Sequence, residues 1–384
     1  MRRVFLLVAA VVLVDTAFYA AIVPLLPHYT DELGLSQTGA GVLTASYAAG
    51  TLVASLPAGL LVARIGVKPT LLSGLVLLAS TSLVFGHASE AAVLDLARFA
   101  QGVGGALSWA GGLAWLIEVA PDGRRGELIG GAISAAIGGV LLGPVLGAAA
   151  VQLDPAPVFS GVAVLAACLA AWAALTPTVP VHRIASSVSP RDLLARPVLV
   201  AVWLVALPAA FAGAINVLTP LRLDELGASG TAIGAIFLAA AAIEAVITPL
   251  IGRVSDRRGR LAPIHIGLAA AIAMGIFLPA AGTAPLVAAG VIALVAALAF
   301  FWAPAMAMLS DVADSVGFDQ GMAAGFINLA WAGGQLLGGA LGGAFADSLG
   351  DAVAYGALVG LCAATLATLL VRGARVPASS PSVG

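Results

Sequence analysis

Charge is what this chain has least of. Only 9% of its 384 residues are Asp, Glu, Lys or Arg, against about a quarter in an ordinary soluble domain. That is too little polar surface for a soluble enzyme, and too much apolar content for a disordered chain. The net charge is −2, and the basic residues form no patch suited to a phosphate backbone, which excludes a nucleic-acid partner. There are two cysteines, Cys168 and Cys362, each inside an apolar run, so neither a disulfide framework nor a metal cluster is in view. Lys68 is the only lysine and is followed by Pro69. A phosphate loop of the G-K-[ST] kind is therefore missing, and ATP-driven pumping by this chain is excluded. His28, His87, His182 and His265 lie far apart without metal-ligand spacing. With no clustered nucleophile and base either, no enzymatic activity and no cofactor are expected.

What is present is hydrocarbon. Hydrophobic residues make up 61% of the chain and the mean hydropathy is +1.08. A helix needs about 20 mostly apolar residues to cross the bilayer. Such stretches fall at 4–27, 38–62, 69–88, 90–118, 126–152, 156–176, 198–221, 229–252, 261–281, 284–309, 317–346 and 350–372. The expectation is an all-α integral membrane protein of twelve transmembrane helices. The first stretch follows Arg2 and Arg3, as a signal peptide would, but it is long, contains Asp15 and lacks a convincing cleavage site. It is read as helix one.

Placing the N-terminus in the cytoplasm puts 15 of the 17 basic residues on that side; Arg222 lies outside and Arg98 within the fourth span. That asymmetry is the positive-inside pattern, so both termini are expected in the cytoplasm. Residues 177–197, rich in Pro, Ser and Arg, read as a cytoplasmic linker between six-helix bundles at 1–176 and 198–376. Residues 377–384 read as a disordered tail.

The two bundles carry a repeat. Asp31-Glu32-Leu33-Gly34 recurs as Asp224-Glu225-Leu226-Gly227, an offset of 193. At the same offset Ser36 matches Ser229, Gly41 matches Gly234, Gly59 matches Gly252 and Gly66 matches Gly259. Halves with an even number of spans enter the membrane from the same side, so an axis along the membrane normal relates them. A substrate site is expected near the midplane between them.

Three motifs give the chain a family resemblance. Gly252-Arg253-Val254-Ser255-Asp256-Arg257-Arg258-Gly259-Arg260 resembles the G-x-x-x-D-R-x-G-R loop of the major facilitator superfamily. Its counterpart, Gly59 to Lys68, has Ala63 where the acid would stand. Arg98-Phe99-Ala100-Gln101-Gly102-Val103-Gly104 resembles that family's R-x-x-Q-G-x-G motif. Gly139-Val140-Leu141-Leu142-Gly143-Pro144-Val145-Leu146-Gly147 resembles the G-x-x-x-G-P-x-x-G signature of its drug:proton antiporters. Asp15, Pro24 and Pro27 are spaced similarly to those of vesicular amine transporters, but Tyr47 stands where that branch has Lys, and Asn328 where it has an acid. The resemblance implies a two-bundle fold, alternating access and exchange of a proton for a drug-like molecule, but not amine transport.

An ionisable side chain inside the hydrocarbon is costly and marks a functional site. Asp15, Glu244 and Arg98 are the candidates for proton coupling, with Arg98 assigned to structure and to setting the state of Asp15. Substrate-binding candidates follow from helical spacing. Asn328, Trp331 and Gln335 share a face of span eleven, and Gln101 and Trp109 continue the face of Arg98. Tyr19 lies one turn from Asp15, Phe237 shares a face with Glu244, and Trp302 sits in an aromatic cluster of span ten. Gly143 and Pro144 are candidate conformational residues, and a charge contact of Asp256 with Arg257 is a candidate gate.

The reading is a proton-coupled antiporter of a bacterial inner membrane, acting as a monomer and exporting a small amphipathic molecule. A proton-coupled symporter or uniporter for a sugar or another metabolite is the first alternative. A transporter-like sensor without transport is the alternative of another class.

Overall fold

The computed structural model describes residues 1–121, 124–177, 196–316 and 320–373. The tail 377–384, and the linker 177–197 apart from Pro177, Arg196 and Pro197, lie outside the described residues. The described residues form helices throughout: α1 (Arg2–Ala20), α2 (Ile22–Leu33), α3 (Gln37–Ile65), α4 (Val67–His87), α5 (Ala91–Val119), α6 (Arg125–Leu153), α7 (Pro155–Leu175), α8 (Arg196–Glu225), α9 (Gly230–Arg258), α10 (Leu261–Ala280), α11 (Ala284–Val316), α12 (Gln320–Leu349) and α13 (Asp351–Gly373). Helices α1 and α2 together form one span of 32 residues, so the helices make twelve passes.

Eleven of these spans have the length and mean hydropathy to cross a membrane. The exception is α12, whose glycines, with Asn328 and Gln335, dilute an otherwise apolar sequence. It nevertheless packs along both α8 and α3, so it belongs to the membrane bundle. Several helices run past the expected spans: α8 continues to Glu225 and α11 to Val316. Hydropathy marks where polar residues begin, whereas the helix ends only at a stop signal.

The repeat is a repeat of such signals. Gly34 and Gly227 take the left-handed φ values of 62° and 82°, which only glycine adopts without strain. Behind them the Leu35 N–H donates to Thr30 O at 3.1 Å and the Ala228 N–H to Leu223 O at 2.9 Å, closing α2 and α8 in the same way. Ser36 and Ser229 then cap α3 and α9, accepting from the backbone N–H of Gly39 and Ala232, each at 3.3 Å. Each DELG-Leu/Ala-Ser segment is thus a helix stop followed by a helix start.

Within the first half α1 packs on α6, α3 on α5, and α4 on α5 and α7; within the second, α8 packs on α12 and α10 on α11 and α13. Glycine permits these close approaches. A Cβ at Gly102 would strike Tyr47 O, at Gly139 Leu13 O, and at Gly338 Ala210 O. The halves meet along α3 against α12 and α6 against α9. At the end bearing the DELG segments this seam is tight: a Cβ on Gly41 would lie 2.6 Å from Gly339 O, and one on Gly234 2.9 Å from Pro144 O. The Thr38 hydroxyl donates across the seam to Asp347 at 2.7 Å. At the opposite, basic end, Gly59, Gly252 and Gly325 would each add a Cβ into open space.

Candidate functional site

A cavity of about 200 Å³ lies between the halves. The first half contributes Tyr19, Ile22, Thr44 and Pro144 to its wall; the second contributes Asn216, Phe237, Glu244, Trp302, Trp331 and Gln335. Its wall is mainly apolar and aromatic with a few polar groups, the usual make-up of a small-molecule site. Among the described residues no hydrogen bond or ion pair engages the Glu244 carboxylate, so its charge is free to meet a ligand.

Asp15 is handled differently. It is 2% exposed, and an ion so buried is stable only when its oxygens are satisfied. The Tyr47 hydroxyl donates to both carboxylate oxygens, at 3.1 and 3.0 Å, and the Trp109 indole N–H donates to Oδ2 at 2.9 Å. Gly105 makes this possible, since a Cβ there would stand 2.5 Å from the Tyr47 hydroxyl and 3.0 Å from Asp15 Oδ1. The tyrosine that replaces the resembling branch's lysine is thus a neutral donor to the acid.

Arg98 makes no direct contact with Asp15. Pro24 has no N–H to offer Ala20 O, and the hydrogen-bond ladder is interrupted where α1 gives way to α2. Beside that break the Arg98 guanidinium donates to Phe18 O at 3.4 Å, Tyr19 O at 3.2 Å and Gln101 Oε1 at 3.4 Å. A cation at the carbonyl end of α1 is electrostatically favoured. The guanidinium carbon also lies 5.2 Å from the Tyr47 ring centre and 5.8 Å from that of Phe18, within cation–π range. A fixed Asp15–Arg98 ion pair is therefore replaced by two groups with separate hydrogen-bond partners and with Tyr47 between them.

The structure gathers Tyr19, Phe237, Glu244, Trp302, Trp331 and Gln335 at the cavity, while Gln101, Trp109 and Asn328, expected there, lie elsewhere. Gln101 donates to Thr81 O of α4 at 3.3 Å, and Trp109 faces Asp15 of α1, because α5 packs on α1, α3 and α4. Asn328 donates to Ser55 Oγ across the seam at 3.3 Å. It shares a face with Gln335, but seven residues are about 10 Å of helix, so the two stand at different depths. The expected Asp256–Arg257 contact is also corrected: Asp256 pairs with Arg260, which binds Asp311 at 3.0 Å. Asp256 stands in the last turn of its helix, and the turn at Gly259, with φ 90°, carries Arg260 back to it at the start of the next helix. Gly143 lies against Ala17 O and Ala20 Cβ, beside the α1–α2 break, while Pro144 lines the cavity. Sequence reasoning missed Asn216 and Thr44; Asn216, an amide inside an apolar span, carried the same signal that singled out Asn328.

Two bundles around a central polar-and-aromatic cavity define a polytopic membrane transporter. A family model described as Major Facilitator Superfamily matches residues 7–318 and again 202–383, and the chain belongs to that superfamily. Among curated proteins it is similar to the vesicular acetylcholine transporter of Drosophila melanogaster, 27% identical over 179 residues, which cover 39% of this chain and 31% of the relative. It is also similar to the quinolone resistance protein NorA of Staphylococcus aureus (strain MRSA252), 25% identical over 126 residues, 33% of this chain and 32% of NorA. The matches thus span about a third of each relative's length. Among solved structures, a D-xylose-proton symporter superposes with a TM-score of 0.76 at 17% identity, covering 98% of both chains. A bacterial homologue of the human lysosomal transporter Spinster, inward-facing and occupied, gives 0.78 at 16% identity, over 99% of this chain and 98% of the other. These two likenesses show the fold.

Proposed function

We propose that the protein is a proton-coupled antiporter that exports a small amphipathic molecule carrying a positive charge. The observation that carries this reading is the Glu244 carboxylate, unpaired among the described residues, on the wall of an aromatic-lined cavity between the halves. A lone carboxylate beside Tyr19, Trp302 and Trp331 suits an organic cation, which gains both charge pairing and cation–π attraction. A sugar would need a denser set of hydrogen-bonding groups than the amide side chains of Asn216 and Gln335 offer here.

Asp15 is the proposed proton carrier. In one half, shielded from the cavity, it changes between charged and neutral as its surroundings change, and Tyr47 and Trp109 can stabilise the charged form. Glu244 receives the cation, and its own protonation competes with that binding. The similarity to NorA supports export, and the helix α6 motif at Gly143 and Pro144 supports exchange rather than symport. The positive-inside pattern of the basic loops supports a cytoplasmic open end of the seam in a bacterial cell, with the cavity receiving its ligand from inside.

Purified protein in liposomes containing a pH-sensitive dye tests this. Lipophilic cations should release protons, whereas sugars and neutral drugs should not. Asp15→Asn should lower coupled release about a hundredfold, and Glu244→Gln should weaken cation binding while leaving the protein folded. Sugar-dependent proton uptake in wild type would establish the symporter reading instead.

A further inference from the structure

We propose that Tyr19 is a positioning residue that shutters Asp15 from the cavity and is held shut by the opposite half. Asp15 takes no part in the cavity wall, whereas Tyr19, one helical turn along α1 at i+4, does. The Tyr19 ring centre lies 5.0 Å from that of Tyr47, whose hydroxyl donates to Asp15. It thus covers the acid's own donor. On its other side the ring stands edge-on to Trp331 of α12, centre to centre 5.2 Å, and its hydroxyl lies within polar reach of Asn216 of α8. Both holding contacts come from the second half; everything else around Asp15 (Tyr47, Trp109 and the charge of Arg98) comes from the first.

That division has a mechanical consequence. When the halves rotate apart, the shells around Asp15 supplied by α3 and α5 move with it as a body. Only the contacts of Tyr19 with Trp331 and Asn216 are stretched. Loss of those two contacts frees the ring to change rotamer, and water then reaches Asp15 along the side Tyr19 vacates. Proton access to Asp15 is thereby tied to the relative position of the halves, without any movement of the acid's own donors. The inference rests on Asp15 as proton carrier only for its biological meaning; the shutter itself is a matter of solvent access.

Access can be read directly. Full-length protein is treated at about pH 5, where carboxyls gain protons, with the water-soluble carbodiimide EDC and glycine ethyl ester. Peptide mass spectrometry then follows Asp15 and Glu244 in the same molecules. In wild type Glu244 should react and Asp15 should be spared. Tyr19→Ala should raise the Asp15 rate about tenfold or more while Glu244 stays within about twofold, as expected when only one door is removed. Asn216→Ala and Tyr19→Phe, which release the hydroxyl but keep the ring, should raise it about threefold. Wild-type Asp15 reacting as fast as Glu244 would overturn the proposal, and so would a Tyr19→Ala protein in which Asp15 stays spared. Should Tyr19→Ala also disturb Glu244, the two milder variants decide: a rise supports the shutter and no rise refutes it. Asp15→Asn protein that still couples protons to substrate would instead defeat the antiporter reading and leave these labelling results standing.

Discussion

The two ends of the seam between the halves are built from the same kind of residue to opposite effect. At the DELG end Gly41 lies against the backbone of Gly339 and Gly343, Gly234 against Pro144 O, and Gly230 against the Val151 side chain. At the basic end Gly59, Gly252 and Gly325 face nothing, and the described hydrogen bond across the seam there is the 3.3 Å contact of Asn328 with Ser55. Close packing is lost at once when a methyl is interposed, whereas an open face tolerates one. Among the described residues the close-packed contacts of the seam therefore lie at the DELG end, and Gly59, Gly252 and Gly325 have no packing role in this state.

The largest break in this contrast should come from Gly343→Val or Gly41→Val. Each inserts atoms onto backbone, a cost of about 1–3 kcal/mol, enough to shift the balance of states roughly tenfold or more. Spin labels on Glu32 and Ser348, either side of the closed end, should report longer separations. A smaller opening is expected from Thr38→Ala, since an exposed hydrogen bond contributes about 1 kcal/mol at most. The same labels would show a minor second population. Ser55→Ala should act at the basic end by about 0.5 kcal/mol, loosening the Asn328 contact and leaving the label distances at the DELG end unchanged. Smallest of all, Gly59→Ala or Gly252→Ala should leave thermal stability within about 0.5 kcal/mol. Should either abolish transport without changing stability, these open glycines must be close-packed in another state of the cycle.

Most of the architecture could be read before any coordinates. Span count, repeat and basic-end asymmetry depend on composition along the chain, and a bilayer imposes composition strongly. Position around and along a helix is harder. Periodicity correctly joined Trp331 to Gln335, yet it also joined Asn328, which stands about two turns deeper toward the basic end. The face of Arg98, Gln101 and Trp109 was expected at the cavity, but which neighbour it meets depends on how the helices are arranged: Arg98 and Trp109 meet α1, and Gln101 meets α4. Arg98 itself could not be understood from spacing alone. Its partners include the backbone carbonyls of Phe18 and Tyr19, about eighty residues away, and backbone acceptors leave no trace in side-chain identity. Asn216 was legible and overlooked, being the lone amide of its apolar span.

The bond from the Trp109 indole to Asp15 also makes the protein its own indicator. The excited state of an indole is sensitive to charge a few ångströms from its ring nitrogen, and here that charge is the one proposed to come and go with the transported proton. Of the six tryptophans, Trp109 alone donates to an acid among the described residues. The emission difference between wild type and Trp109→Phe should therefore follow the occupancy of Asp15 in real time, in unlabelled protein, during turnover.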